Sequence, residues 1–215
     1  MSSANAQTSP ARNDQRALLL LSAASGATDA FAFLCLGKVF AGVMTGNLVL
    51  VGASVGAGDR AVVPRAVTAL AGYALGAGGA ALAEHRLTPR LLLGAETVLL
   101  ALAAAGWALG LASSLGSQLA LLVALSVAMG VQAHTWGTPT TYFTGTFTKL
   151  AGRLARRAPG GSDRWVAVRL AAVVAGAAAS SLVAWWWPGA TGTVAAVLCA
   201  IALATRPRQP AANQA

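Results

Sequence analysis

Apolar runs of about twenty residues, the length that crosses a bilayer core, follow one another along almost the whole chain and are separated by short connections. Inside lipid every backbone N–H and C=O must be paired within the structure, so runs of this length can only be helices. Ala17–Gly37, Val39–Gly58, Ala61–Ala83, Leu91–Ala112, Gln118–Gly137 and Trp165–Trp187 are the long ones. Thr138–Gly152 is short and Thr-rich, and Thr191–Ala204 is short and apolar. The expectation is an all-α, polytopic transmembrane bundle of seven or eight segments, a single domain over residues 17–204. Residues 1–16 and 205–215 lack the pattern and read as a disordered N-terminal tail and a C-terminal tail.

Composition closes the soluble alternative. Only 10% of the residues are charged, against 56% hydrophobic, whereas a water-facing domain carries about a quarter charged. The formal charge of +9 does not point to nucleic acid, because the basic residues fall in clusters between apolar runs and not on one soluble face. Clusters of this kind set orientation, cytoplasmic connections holding the excess of Lys and Arg. With eight crossings and the N-terminus inside, Arg12, Arg16, Arg60, Arg65, Lys149, Arg153, Arg156, Arg157, Arg164, Arg206 and Arg208 lie on the cytoplasmic side, and Lys38, Arg86 and Arg90 outside. Both termini are then cytoplasmic, with Arg169 snorkelling to the same face.

A duplication is visible in the residues. Asp59-Arg60, Arg65 and Gly72 recur at constant spacing as Asp163-Arg164, Arg169 and Gly176, and Met44-Thr45-Gly46-Asn47 is echoed by Phe143-Thr144-Gly145-Thr146. This predicts two tandem repeats, about 17–112 and 118–204. Four crossings per repeat would relate them by an axis along the membrane normal; a re-entrant segment in each would make them inverted.

Ser25-Gly26-Ala27-Thr28-Asp29, Val39-Phe40 and Met44-Thr45-Gly46-Asn47-Leu48-Val49, with Met129-Gly130-Val131-Gln132 and Thr140 to Thr146 in the second half, resemble the two signatures of the YoaK family of bacterial integral membrane proteins. That resemblance implies a bacterial inner-membrane location and a membrane-helical fold, and no chemistry.

Asp29 is the sharpest polar signal, an acid near the middle of the first run with Ser22, Ser25 and Gly26 on its face. An ionisable group there costs about 2.5–3.5 kcal/mol or more and marks a functional site by default, the alternative being a neutral structural clamp. Thr45, Gly46 and Asn47, Gln132, and Thr144, Gly145 and Thr146 complete the candidate substrate- or ion-binding set. Glycine between hydroxyl and amide side chains lets a helix loosen toward a ligand, although the same glycines suit close packing. Glu96 falls within the first two turns of its run, where an exposed carboxylate at the interface is cheap. Cys35 and Cys199 behave as small hydrophobes, His134 reads as a hydrogen-bonding residue, and no spacing suits a metal or cofactor. No nucleophile elbow, phosphate loop or paired carboxylates suggest an enzyme. The leading expectation is a secondary transporter or exporter of a small molecule or ion, monomeric or homo-oligomeric, with an Asp29-centred cavity into which both Thr-Gly segments look. The rival is a membrane protein that binds or organises partners or lipids.

Overall fold

The computed structural model describes residues 12–58, 61–136, 143–156, 160 and 163–205, apart from the side chains of residues 12–14, 143, 144 and 146. Eight α-helices hold these residues: α1 Arg12–Cys35, α2 Met44–Ala57, α3 Val62–Ala83, α4 Pro89–Ala108, α5 Leu115–Thr135, α6 Phe143–Ala155, α7 Asp163–Trp186 and α8 Thr193–Thr205, with a 3-10 turn over Pro188–Ala190 before α8. Six stretches are long and apolar enough to cross a membrane, counting α8 with the turn before it. The chain is a multi-pass membrane protein. Local signals mark the ends: Thr88 caps α4 by accepting from the Leu91 N–H, with Pro89 in the first turn, and Ser114 and Ser117 close a reciprocal cap on α5.

Contacts fix the direction of each helix. Arg65 bonds Gln118, Gly72 packs on Ser126, Gly76 on Val127 and Glu84 pairs with His134, so α3 and α5 run parallel. Ser22 with Arg169 and Gly26 with Val173 make α1 and α7 parallel. Glu96 with Cys199, Ala104 with Gly192 and Trp107 with Pro188 make α4 and α8 antiparallel. Gly37, just beyond α1, lies against the Arg65 side chain near the start of α3. The end of α1 and the start of α3 are therefore on one face, which we term the distal face; the helix starting at Arg12 and the one ending at Thr205 lie toward the other, the proximal face.

This directionality corrects the eight-crossing reading. The run Val39–Gly58 does not cross: it leaves α1 at the distal face, dips inward as a buried loop over residues 39–42, and returns as the 14-residue α2. By the same logic α6, between the proximal end of α5 and the proximal start of α7, does not cross either. Six crossings move Arg65 to the distal face, and Arg86 and Arg90 to the proximal one.

Two helix crossings form the centre, α1 on α7 and α3 on α5. At the first, a methyl group on Gly26 would collide with the Val173 carbonyl, and one on Gly176 with the Ala23 carbonyl. At the second, Gly130 and Gly76 stand in the same way against the carbonyls of Tyr73 and Val127. Helices in lipid gain little from a hydrophobic effect and come together where small residues let backbones touch. The crossing residue that matches Gly176 is Gly76 rather than Gly72. The alignment of Arg65 with Arg169 and of Gly72 with Gly176 is thus one turn out of register, and Asp59-Arg60 lies outside the described residues.

Candidate polar site at the re-entrant loop

The loop between α1 and α2 is where polar side chains, buried backbone and a break in helical structure coincide. The chain leaves α1 through Gly37 (φ 102°) and Lys38 (φ 64°), and the Lys38 N–H donates to the Phe33 carbonyl at 3.1 Å, which caps the helix end. The Lys38 ammonium sits 4.9 Å from the centroid of the Phe33 ring, and Phe40 stacks on Phe33 at 5.3 Å. Val39, Ala41 and Gly42 are buried.

A non-helical backbone at membrane depth survives only where its N–H and C=O groups find partners in the protein. Asn47 supplies two. Its Oδ1 accepts from the Phe40 N–H at 3.0 Å and its Nδ2 donates to the Phe40 carbonyl at 2.7 Å, with no part of the residue exposed. Asp29 supplies the next: its Oδ1 accepts from the Gly42 N–H at 2.7 Å, with the Ala41 and Val43 amides alongside. Asp29 lies six residues before the end of α1, so Gly42 sits about 9 Å below that end by helical rise. The start of α2 therefore points into the membrane at a half-buried carboxylate, an arrangement the helix dipole favours. Gly46 has its own reason to lack a side chain, since a Cβ there would come within 3.1 Å of the Phe40 ring.

Asp29, Gly46 and Asn47 are thus brought together, around the loop backbone and not across an open cavity. Thr45 points away and is exposed. Gln132 is wholly buried on α5; its Nε2 donates to the Leu21 carbonyl at 3.0 Å, tying α5 to α1, while its Oε1 has no partner. Gly145 is exposed, with nothing near where its Cβ would be; the Thr144 and Thr146 side chains lie outside the described residues. α2 packs on α3 and α6 on α7, so the second Thr-Gly segment is not drawn to Asp29 as expected.

Other expectations change as well. Glu96 is not an interfacial carboxylate: it is fully buried, and its Oε1 accepts from the Cys199 thiol at 3.3 Å. Depth along the helix suggested exposure; the face of the helix, set against α8, decides otherwise. Arg65 does not snorkel to the face that holds the termini. It spans the distal ends of α3 and α5, donating to the Ala61 carbonyl at 2.8 Å and to Gln118 Oε1 at 2.9 Å. His134 lies at the proximal end, 2.7 Å from Glu84. The partners of Asp29 and Asn47 carried no side-chain signal in the sequence, because they are backbone groups.

A family described as "Protein of unknown function (DUF1275)" matches residues 17–205. No curated protein and no solved structure matches the chain.

Proposed function

The chain belongs to the DUF1275 family of proteins of unknown function, and from that premise we propose that it is a secondary transporter of a small solute, built from two halves of inverted topology. One observation carries it. The α1–α7 and α3–α5 crossings use matching glycine-on-carbonyl contacts, Gly26 and Gly176 in one, Gly130 and Gly76 in the other. Each half then holds three crossings and one short helix, and an odd number reverses the second half relative to the first. Inverted halves with interrupted helices entering from opposite faces are the architecture on which alternating access is built. On this reading the path opens beside Asp29, where the loop over residues 39–43 gives way.

Charge supports an orientation. Among the described residues the proximal side holds Arg12, Arg16, Arg86, Arg90, Lys149, Arg153, Arg156 and Arg164, against Lys38 and Arg65 on the distal side. The proximal face is then cytoplasmic in the inner membrane, with both termini inside. Reporter fusions at the two ends test this, and disagreement between them would overturn it.

A second reading rests on a specific feature. Asp29 and Asn47 both spend their hydrogen bonds on the loop, as they would in a membrane protein that binds or organises partners and moves nothing. Cysteine accessibility separates the two readings. In a background with Cys35→Ser and Cys199→Ala, single cysteines at Ala41 and Thr28 are challenged with a membrane-impermeant maleimide from each side of sealed vesicles. Transport requires labelling from both sides; labelling from one side only, or from neither, favours the organising role.

A further inference from the structure

Glu96 is the second acid within a span, and its surroundings differ from those of Asp29. It stands where α4 faces α8, seven residues into α4, while Cys199 stands six residues before the end of α8. Both positions are about 10 Å from the proximal face by helical rise. Oε1 accepts a hydrogen bond from the Cys199 thiol at 3.3 Å, whereas Oε2 is buried and has no partner. The elements packed on α4 are α5, α8 and the turn over Pro188–Ala190. Cys199 is the titratable group that α8 turns to Glu96. The turn carries no titratable side chain, and the one on α5, His134, is engaged at the proximal end with Glu84. α1, which packs on α8, brings Cys35, Asp29 and Arg16; Asp29 is committed to Gly42 and Arg16 is exposed at the proximal end.

In this conformation neither protonation state of Glu96 is satisfied. Ionised, the carboxylate would lack a donor at Oε2; protonated at Oε2, it would lack an acceptor for its own proton. A buried polar atom left over in this way costs about 1–3 kcal/mol and calls for an explanation. The α4–α8 contact also has one pinned end. The Trp107 indole N–H donates to the Pro188 carbonyl at 2.7 Å, and Gly192 is pressed against Ala104 and Phe31 near the distal face. Among the described residues the polar contact between the two helices at the level of Glu96 is the single thiol one, set among the apolar side chains of Leu93, Leu100 and Ala202.

We propose that Glu96 is a proton-binding site within the membrane, taking up and releasing one proton when α4 and α8 part at their proximal end. It rests on the transport reading only for its use, as the group through which proton movement is coupled to the solute; proton binding itself can be read without any solute.

The test uses the full-length protein in phosphatidylethanolamine–phosphatidylglycerol vesicles and dicyclohexylcarbodiimide, a small apolar reagent. The carboxyl oxygen bonds to the central carbodiimide carbon while its proton passes to one nitrogen, and the acyl group then migrates to the other nitrogen. The product is a stable N-acylurea with nothing lost, and the reaction needs the protonated acid. A peptide carrying the adduct on Glu96 should appear by mass spectrometry, with at least about threefold more at about pH 5.5 than at about pH 8.5. Glu96→Gln should lack that adduct. Cys199→Ala keeps the carboxyl and covers the case in which Glu96→Gln fails to fold; it must alter the ratio between the two pH values, and Asp29→Asn must leave it unchanged. No adduct on Glu96, equal yields at both pH values, or a ratio indifferent to Cys199→Ala would overturn the proposal. The labelling background carries Cys199→Ala, so the Glu96 ratio is read in the parent protein; if Glu96 titrates there as expected while the residue 41 and 28 cysteines label from one side only, the proton site stands and the transport reading fails.

Discussion

The α1–α7 and α3–α5 crossings share a backbone and differ in charge. Gly26 and Gly176 on one side, Gly130 and Gly76 on the other, let carbonyls of the facing helix come within touching distance. Set on that common frame, Ser22 matches Ser126, Asp29 matches Ala133, and Arg169 matches Ala69. The Ser22 hydroxyl lies 3.3 Å from the Arg169 Nε; the Ser126 hydroxyl is buried with no partner. The glycine packing is present twice, while Asp29 and Arg169 have no ionisable residue at the matching positions, Ala133 and Ala69. A residue needed to hold two helices together is needed in both places, so the duplicated glycines read as scaffold. The single acid and the single arginine have no such counterpart, and their roles must be sought in what each touches.

The largest effect expected from breaking this comparison is at the glycines. Gly176→Leu and Gly130→Leu each drive a side chain into a carbonyl that cannot retreat without separating two helices, and each should cost about 3 kcal/mol or more. No monodisperse protein should survive extraction. The alanine variants at Gly26, Gly176, Gly76 and Gly130 are the sharper instrument: their losses in thermal stability should fall within about 1 kcal/mol of one another. Gly78→Ala, with open space around the added methyl, should be neutral or slightly stabilising. Unequal losses at the two crossings would break the equivalence.

Next in size are the keys of the re-entrant loop. Asn47→Leu removes the partners of both Phe40 backbone groups in a buried setting, at about 1–3 kcal/mol for each group left unpaired. Asp29→Ala, which gives the first half the residue found in the second, should cost about 1–3 kcal/mol through the orphaned Gly42 N–H. Asp29→Asn retains an acceptor and should lose less. Thermal unfolding in detergent ranks the three; an Asn47→Leu protein as stable as the parent would remove the structural case for the loop.

How much of this was legible in the sequence follows from what hydropathy measures. The runs that became α1, α3, α4, α5 and α7 were plain, since each is one continuous helix of the expected length. The Val39–Gly58 run has the length of a span, yet its first residues are a non-helical loop and only Met44–Ala57 is helical. An apolar count cannot separate a crossing from a loop and a short helix that enter and leave by one face. The bias of Lys and Arg did not expose the difference, because Arg65 exchanges sides with Arg86 and Arg90 and the basic excess stays on the face toward which the start of α1 and the end of α8 lie. The match of Gly76 with Gly176 at the two crossings was hidden in the sequence, because two arginines at equal spacing pulled α3 one turn out of register with α7. Asp29 was legible as a polar group inside a span. Its partner was not, because a Gly42 amide looks like any other in a sequence. Glu96 was misjudged since its depth along α4 was readable and the arrival of α8 on that face was not.

The smallest effect is the most discriminating, because it predicts opposite signs at matching positions. Ser22 donates to the Leu18 carbonyl at 2.8 Å and also meets Arg169, which has a buried Nη2 without a partner of its own. Ser22→Ala strips the guanidinium of this contact and should destabilise the protein by about 0.5–1.5 kcal/mol. Ser126 faces Gly72 across a contact so tight that a Cβ on that glycine would lie 3.0 Å away, and its hydroxyl is buried with nothing to bond. Ser126→Ala deletes an unsatisfied polar atom without opening a cavity large enough to matter. It should leave stability unchanged or raise it by up to about 1 kcal/mol. Thermal unfolding of the two variants and of the double variant in one detergent decides the matter. Additive shifts of opposite sign would mean that the arginine gives the first crossing a polar contact the second lacks. Equal losses would mean that both hydroxyls serve the packing, and that the charge asymmetry has no energetic consequence at the crossings.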